Sequence, residues 1–202
     1  MRKTRDGEST RETVIQAATQ AFAEKGFAGT SLAMISDKCG ISDGLILHHF
    51  QSKDNLYQVV LEELAAQYQA ALQQAGANAE NPQQAAIAGL RAAFQYWRED
   101  SAYYRISMWA FLEGRDDLIA QEIKLTAGLA QTIQTMQAGG QADANFAPYA
   151  FLPMTVGPLH FWMSHRALFK EALGLAGDLE TLDAQFEEQY LKMIMKLYQP
   201  QA

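Results

Sequence analysis

The chain has 202 residues, of which 49% are hydrophobic, enough for one large domain or two small ones. It has no run of about twenty apolar residues and no apolar segment behind its basic N-terminus, so we expect neither a membrane span nor a secretory signal. Its net charge of −7 argues against a protein that coats nucleic acid without selectivity. The single cysteine, Cys39, excludes an internal disulfide and favours a cytoplasmic location.

The charge is unevenly distributed along the chain. Residues 1–55 contain seven Lys or Arg and seven Asp or Glu, so this segment is neutral and the whole −7 belongs to residues 56–202. A neutral N-terminal segment leaves room for a small DNA-reading surface on an otherwise acidic protein.

Apolar residues recur every three or four positions along almost the whole chain, which predicts an all-α protein of about nine helices. The first helix should run from about residue 9 to residue 25 and stop at Gly26 in the left-handed conformation. Phe27 would then fold back on Phe22, as in a Schellman motif. The segment before this helix is a basic arm that carries Arg2, Lys3 and Arg5.

Two short helices come next and form a helix-turn-helix. The first of them begins after Thr30 or Ser31 and ends before Gly40, which permits the positive φ of a tight turn. The second is capped by Ser42 and closes at Phe50. It is short because only its first two turns need to enter a major groove, which is about 12 Å wide. The predicted core of this motif consists of Ile35, Ile41, Ile46 and Phe50.

The outward side of the second short helix is the candidate DNA-reading surface. Leucines are unusual on a solvated helix but fit thymine methyl groups, and a histidine can bond a base edge or a phosphate. The serine at the helix start and the free amides beside it suit a phosphate oxygen. The residues assigned to this surface are Ser42, Asp43, Gly44, Leu45, Leu47 and His48.

Ser52 should cap a long fourth helix that ends near residue 74. Further helices are predicted at about 82–100, 102–112, 116–137, 147–173 and 178–198. The eighth could begin before Pro153 or only at Pro158, because each proline removes a helix hydrogen bond. We divide the chain into a DNA-binding domain, residues 1–51, and a helical effector-binding and dimerisation domain, residues 52–202.

The second domain is rich in aromatic residues at helical spacing. Most of them must form a helical core and a dimer face, and some would line a cavity for a small effector. That effector is either a flat or apolar neutral molecule or an organic cation held over ring faces. The last two helices carry enough apolar surface for a four-helix dimer interface. The candidate effector-binding residues are Trp97, Tyr104, Trp109, Glu113, His160 and Trp162.

The stretch "TSLAMISDKCGISDGLILHHFQSKDNLYQVVLEEL" resembles the N-terminal domain of the TetR/AcrR family of bacterial transcriptional regulators. Within that family it is most similar to the choline-responsive repressors. The resemblance implies a homodimeric, ligand-responsive DNA-binding regulator, a repressor that a small effector releases from a palindromic operator. It also implies that Lys53 holds a DNA phosphate and that Ser31 opens the second helix at the DNA.

Two departures from the family pattern weaken the expected electrostatic binding. Leu47 stands where the family has a tyrosine that touches the DNA backbone, and Asp43 replaces a frequent lysine. More of the affinity would then fall to the basic arm, including Arg5.

The alternative function is a helical ligand-binding or protein-interaction module that does not act on DNA. An enzyme is not expected, because the sequence has no nucleophile–base pair, no Gly-rich phosphate loop and no metal-ligand spacing. His160 and His165 are five residues apart and do not share a helix face. We expect no metal and no cofactor.

Overall fold

The computed structural model describes residues 2–115, 127 and 130–197, without the side chains of residues 2–6, 152 and 197. Within these ranges the protein has nine α-helices, one short 3-10 helix and no strand, so the all-α prediction is confirmed. None of the described helices is both long enough and apolar enough to cross a membrane.

The helices follow one another in the order that the sequence predicts. Their bounds are α1 Arg2–Lys25, α2 Leu32–Cys39, α3 Asp43–Phe50, α4 Lys53–Gly76, α5 Pro82–Glu99, α6 Ala102–Leu112, the described part of α7 at 130–138, the 3-10 helix Pro148–Ala150, α8 Phe151–Ala172 and α9 Leu179–Leu197.

Two of these boundaries differ from the prediction or decide between its alternatives. Helix α1 begins at Arg2 and not near residue 9, so the basic arm is the first part of a helix. No proline interrupts that stretch, in which Gly7 has the poorest helix propensity. Helix α8 begins before Pro153, where a missing N–H costs nothing, and continues through Pro158. Residues 116–126 of the predicted seventh helix lie outside the described residues.

The chain divides into two compact units. The N-terminal unit is Met1–Gln69 with Asp100–Gln121, and the C-terminal unit is Ala70–Glu99 with Glu122–Ala202. In the N-terminal unit, α1 packs against α2 and α6, and α2 packs against α3. In the C-terminal unit, α5, α8 and α9 pack against one another. The domain boundary expected between residues 51 and 52 stays a prediction.

The core of the N-terminal unit is built from the apolar sides of its helices. The predicted core residues Ile35, Ile46 and Phe50 are buried, and Ile41 is half-buried. Phe22 and Tyr57 meet edge to face, with ring centroids 4.9 Å apart. The other fully buried residues include Val14, Ala18, Ala21, Leu56 and Val60.

The turn between α1 and α2 begins at Gly26, whose φ of +72° is the predicted left-handed stop. Its N–H donates to the carbonyl of Phe22 at 2.9 Å, and the Phe27 ring folds back to 6.2 Å from the Phe22 ring. The expected Schellman bond is absent, because the Phe27 N–H donates to the Glu113 carboxylate. The turn ends at Ser31, not Thr30, since the Ser31 hydroxyl accepts the N–H of Met34 at 3.3 Å.

The junction between α3 and α4 is a γ-turn centred on Gln51. This residue has φ 66° and ψ −41°, and the Ser52 N–H donates to the Phe50 carbonyl at 2.7 Å. The Ser52 hydroxyl caps α4 as predicted, accepting the Asn55 N–H at 3.0 Å. The Asn55 side-chain amide also donates to the Phe50 carbonyl, at 2.8 Å. These bonds fix the direction of α3 against α4.

We predict that Gln51→Gly stabilises the protein. Among the described residues Gln51 is the non-glycine residue with a positive φ, and such a conformation stores about 1–3 kcal/mol that glycine avoids. Because glycine also loses more entropy on folding, we expect a net gain of about 1 kcal/mol in the free energy of unfolding. Urea unfolding measures the change.

The matched variant is Gln51→Val, whose β-branched side chain makes the same backbone conformation worse and should lower the free energy of unfolding. A Gly variant that is less stable than the wild type would show that Gln51 is not strained.

Candidate DNA-binding surface

Helix α3 has one buried and one exposed side. Ile46 is fully buried, whereas Leu45 and Leu47 are 40% and 41% exposed. His48 is exposed, and His49 is half-buried with its ring 6.2 Å from the Phe50 ring. The exposed side of α3 is therefore the one that the sequence predicts, with two leucines and a histidine in water.

The N-terminus of α3 offers unused hydrogen-bond donors. Ser42 is the N-cap residue, but its side chain makes no capping bond, so the expected cap from its hydroxyl is wrong. No described hydrogen bond uses the N–H groups of Asp43 or Gly44. A Cβ atom built on Gly44 would meet nothing within 4 Å, so another molecule can approach this backbone closely. A hydroxyl and two amides at a helix N-terminus can bind a phosphate oxygen.

Lys53 is turned toward the protein in this structure. Its Nζ donates to the carbonyls of Phe27 and Thr30, both at 2.9 Å, and lies 4.0 Å from the centroid of the Phe27 ring. An ammonium group has three donors, so one remains for a phosphate. The phosphate role of Lys53 stays a prediction beside this structural one.

Arg11 and Lys38, two other basic residues of the N-terminal unit, are also paired. Arg11 bonds Glu63 at 3.2 Å and lies 5.5 Å from the Phe50 ring centroid, and Lys38 bonds Glu24 at 3.0 Å. The side chain of Arg5 lies outside the described residues. Among the described side chains, Lys53, Arg11 and Lys38 are thus already bonded within the protein, and Asp43 of α3 is negative.

Helix α6 is attached to the turn between α1 and α2 by polar bonds. The Glu113 carboxylate accepts the N–H groups of Phe27 and Ala28 at 3.1 and 3.0 Å, and Arg105 Nε donates to the Ala23 carbonyl at 2.8 Å. Glu113 was predicted to bind an effector, and here it accepts hydrogen bonds from backbone amides of the turn that precedes the helix-turn-helix. Sequence reasoning missed this role. Its local signal is a carboxylate at the C-terminal end of a helix whose one other charged residue is Arg105.

Arg115 completes this attachment. Its guanidinium carbon lies 3.7 Å from the centroid of the Phe27 ring and 4.8 Å from that of Tyr57, and it bonds Asp54 at 3.3 Å. Trp109 also lies here, because a Cβ atom at Gly26 would come within 3.0 Å of its ring and would clash with Glu113.

The other effector candidates divide between the two units. Tyr104, buried in α6, belongs with Trp109 and Glu113 to the N-terminal unit. Trp97 and His160 meet edge to face in the C-terminal unit, with ring centroids 4.5 Å apart. Burial lowers the pKa of His160 from its usual value, so its ring is neutral at pH 7.

Trp162 has both a ring partner and a polar partner. It stacks on Phe186 with centroids 4.5 Å apart and donates from Nε1 to Asp183 at 2.7 Å. No group of histidine, cysteine, aspartate and glutamate side chains in the described ranges is arranged to hold a metal ion.

Comparison with known proteins finds a family match in the N-terminal part of the chain. Residues 14–60 match the family model described as bacterial regulatory proteins, tetR family. The chain is 27% identical over 195 residues to the HTH-type transcriptional regulator TtgR of Pseudomonas putida, covering 89% of this chain and 91% of that protein. It is 38% identical over 56 residues to the HTH-type transcriptional regulator UidR of Escherichia coli, covering 28% of this chain and 29% of that protein.

A solved structure has the same fold over almost the full length. The SCO4942 protein of Streptomyces coelicolor gives a TM-score of 0.76 at 20% identity, over 95% of this chain and 99% of that one. At this identity the likeness shows the fold alone. The chain is therefore similar to bacterial regulatory proteins of the tetR family in residues 14–60, from α1 into α4, and to TtgR over most of its length.

Proposed function

We propose that this regulator represses transcription by binding a palindromic DNA site as a homodimer and leaves that site when a small effector binds. The observation that carries the proposal is α3, a helix with a fully buried side, an open N-terminus and an exposed side of two leucines and a histidine. Since its target is the chromosome, the protein acts in the cytoplasm.

The contacts to DNA fall into two classes. The Ser42 hydroxyl and the α3 amides bind phosphates, with Ser31, Lys53 and Arg5 as further phosphate ligands. Leu45, Leu47 and His48 meet the base edges, and Gly44 allows the close approach. Asp43 repels phosphate and favours the N-terminal end of the helix dipole. Phosphate contacts set the affinity for any DNA, and base contacts set the preference among sequences.

We predict that Ser42→Ala and Leu45→Ala separate these classes. Because the Ser42 side chain makes no capping bond, Ser42→Ala should leave folding unchanged and weaken binding to all DNA by about tenfold, the cost of a hydrogen bond to a charged group. Leu45→Ala should lower the preference for the selected site by about tenfold and keep the binding to unrelated DNA. The selected site is obtained by in vitro selection from a pool of random DNA sequences, and the affinity of each variant is measured for this site and for unrelated DNA.

The wild-type affinity should fall steeply as salt is added, because bound phosphates release their counterions. If both variants change both DNA affinities alike, the two classes of contact are wrongly assigned. If no DNA sequence is enriched at any salt concentration, the alternative of a module that does not act on DNA replaces the proposal.

The dimer interface is proposed to lie on α8 and α9. Met154, Phe161 and Leu168 follow each other at intervals of seven along α8, so they share one side, and they are 49%, 56% and 58% exposed. Met193 and Met195 on α9 are each 46% exposed. Apolar surface of this kind marks a protein interface. A two-fold dimer places its two α3 helices about 34–36 Å apart, or a multiple of that, on a palindrome.

We predict that Phe161→Glu dissociates the dimer, because a dimer would bury two uncompensated carboxylates in an apolar interface. Sedimentation should show a dimer for the wild type and a monomer for the variant. Gln16→Glu adds the same charge at an exposed position of α1 and should remain dimeric. A monomeric wild type, with or without DNA, contradicts the proposed interface.

The structure favours a neutral apolar effector over an organic cation. Glu113, the carboxylate that the cation hypothesis places beside the rings, is bonded to two backbone amides. Asp183, beside Trp162, is bonded to two arginines and the indole. The neutral His160 against Trp97 fits an apolar pocket.

Helix α6 is the proposed connection to the DNA-binding motif, because Arg105, Glu113 and Arg115 attach it to the turn before α2.

We predict that Glu113→Ala loosens this connection. The N–H groups of Phe27 and Ala28 lose their acceptor, so their hydrogen exchange should accelerate, and DNA affinity should fall because α2 and α3 are less well oriented. The loss of two charge-assisted bonds should cost about 2 kcal/mol of the free energy of unfolding. Exchange measured by NMR or mass spectrometry tests the local effect.

Glu62→Ala is the control, because Glu62 is an exposed carboxylate of α4 with no hydrogen bond or ion pair in the described part of the chain. Unchanged exchange at Phe27 and Ala28 in Glu113→Ala would show that Glu113 does not hold the turn.

A further inference from the structure

A polar cleft lies within the C-terminal unit, among α5, α8 and α9. It has a volume of about 560 Å³, within the range of small-molecule sites. None of its charged lining residues was predicted from the sequence to form a site. Those that matter for its chemistry are Arg91, Arg98, Glu99, Arg166, Glu180 and Asp183.

The base of the cleft carries an excess of positive charge. Asp183 is only 2% exposed, and its carboxylate bonds Arg166, Arg98 at 3.3 Å and the Trp162 indole at 2.7 Å. Two guanidinium groups therefore face one carboxylate. Each guanidinium has five N–H donors and gives one of them to Asp183 in the described contacts. The two arginine side chains are 24% and 23% exposed, so their remaining donors are accessible to an anion.

The rim of the cleft carries negative charge. Glu180 is exposed and forms no ion pair or hydrogen bond with any described residue. Glu99 is exposed and accepts one bond, from the Gln95 amide at 2.8 Å. Arg91, also at the cleft, is neutralised by Glu187 at 2.9 Å. Glu99 and Glu180 thus have no cationic partner, whereas the base of the cleft has two guanidinium groups for one carboxylate.

A molecule with both charges fits this arrangement better than a molecule with one. A simple carboxylate would be attracted by the base and repelled by the rim, and a simple amine would meet the opposite conflict. We infer that the cleft binds a small amino carboxylate, a zwitterion whose carboxylate lies against Arg98 and Arg166 and whose ammonium group lies against Glu99 and Glu180. Guanidinium groups suit the carboxylate because their planar donors match its two oxygens.

Calorimetric titration of the full chain tests the inference with three probes of one carbon skeleton: γ-aminobutyrate, butyrate and butylamine. We expect γ-aminobutyrate to bind at least about tenfold more tightly than either singly charged probe, because one charge-assisted contact is worth about that factor. Glu180→Gln should reduce this preference over butyrate. Both Glu99 and Glu180 are exposed, so the double change to Gln should fold and abolish the preference.

Glu188→Gln is the matched control. It removes the same charge from α9 at a residue that lies outside the cleft and bonds Lys192, and it should leave all three affinities unchanged. Equal affinity for γ-aminobutyrate and butyrate, no heat with any probe, or an equal effect of Glu180→Gln and Glu188→Gln would each overturn the inference. The titration contains no DNA, so its outcome is independent of the test of the proposed function.

Discussion

The backbone of the turn between α1 and α2 exposes polar groups of both signs, and charged side chains from other helices satisfy them. Its carbonyls at Phe27 and Thr30 receive the Lys53 ammonium group, and its amides at Phe27 and Ala28 donate to the Glu113 carboxylate. A left-handed glycine opens the turn and a serine cap closes it. Helix α2, and through it α3, is oriented by this turn, so the candidate DNA-reading surface depends on hydrogen bonds to two charged side chains that are distant in sequence.

The cations around this turn explain why an aromatic ring, that of Phe27, lies at its centre. The faces of Phe27 attract cations, and both Lys53 and Arg115 lie within 4.0 Å of its centroid, while Tyr57 meets it edge to face at 5.1 Å. The ring thus holds two positive charges close to backbone carbonyls and to Asp54. A leucine at this position would fill the volume but would offer no negative face to either cation.

Local sequence signals were sufficient to predict the order of the helices and the buried and exposed sides of α3. Periodicity separated Ile46 from Leu45 and Leu47, and the stop at Gly26 and the cap at Ser52 follow from single residues and their neighbours. The sequence left the cap of α2 open between Thr30 and Ser31, and the structure decides for Ser31. The partners of Lys53 and Glu113 did not follow, because Glu113 lies 86 residues from Phe27 and only the packing of α6 on α1 brings them together. The γ-turn at Gln51 and the missing capping bond of the Ser42 hydroxyl depend on backbone geometry, which residue preferences do not determine.

Under the proposed contacts, the two exposed leucines of α3 make binding sensitive to the methylation of the DNA. Under the proposed contacts they recognise a methyl group in the major groove, and thymine carries that group at C5. Methylation of cytosine at C5 places the same group on a G·C pair. A surface that reads methyl groups with aliphatic side chains therefore responds to DNA methylation as well as to base identity. A methyltransferase that modifies an operator could change its occupancy without altering its sequence.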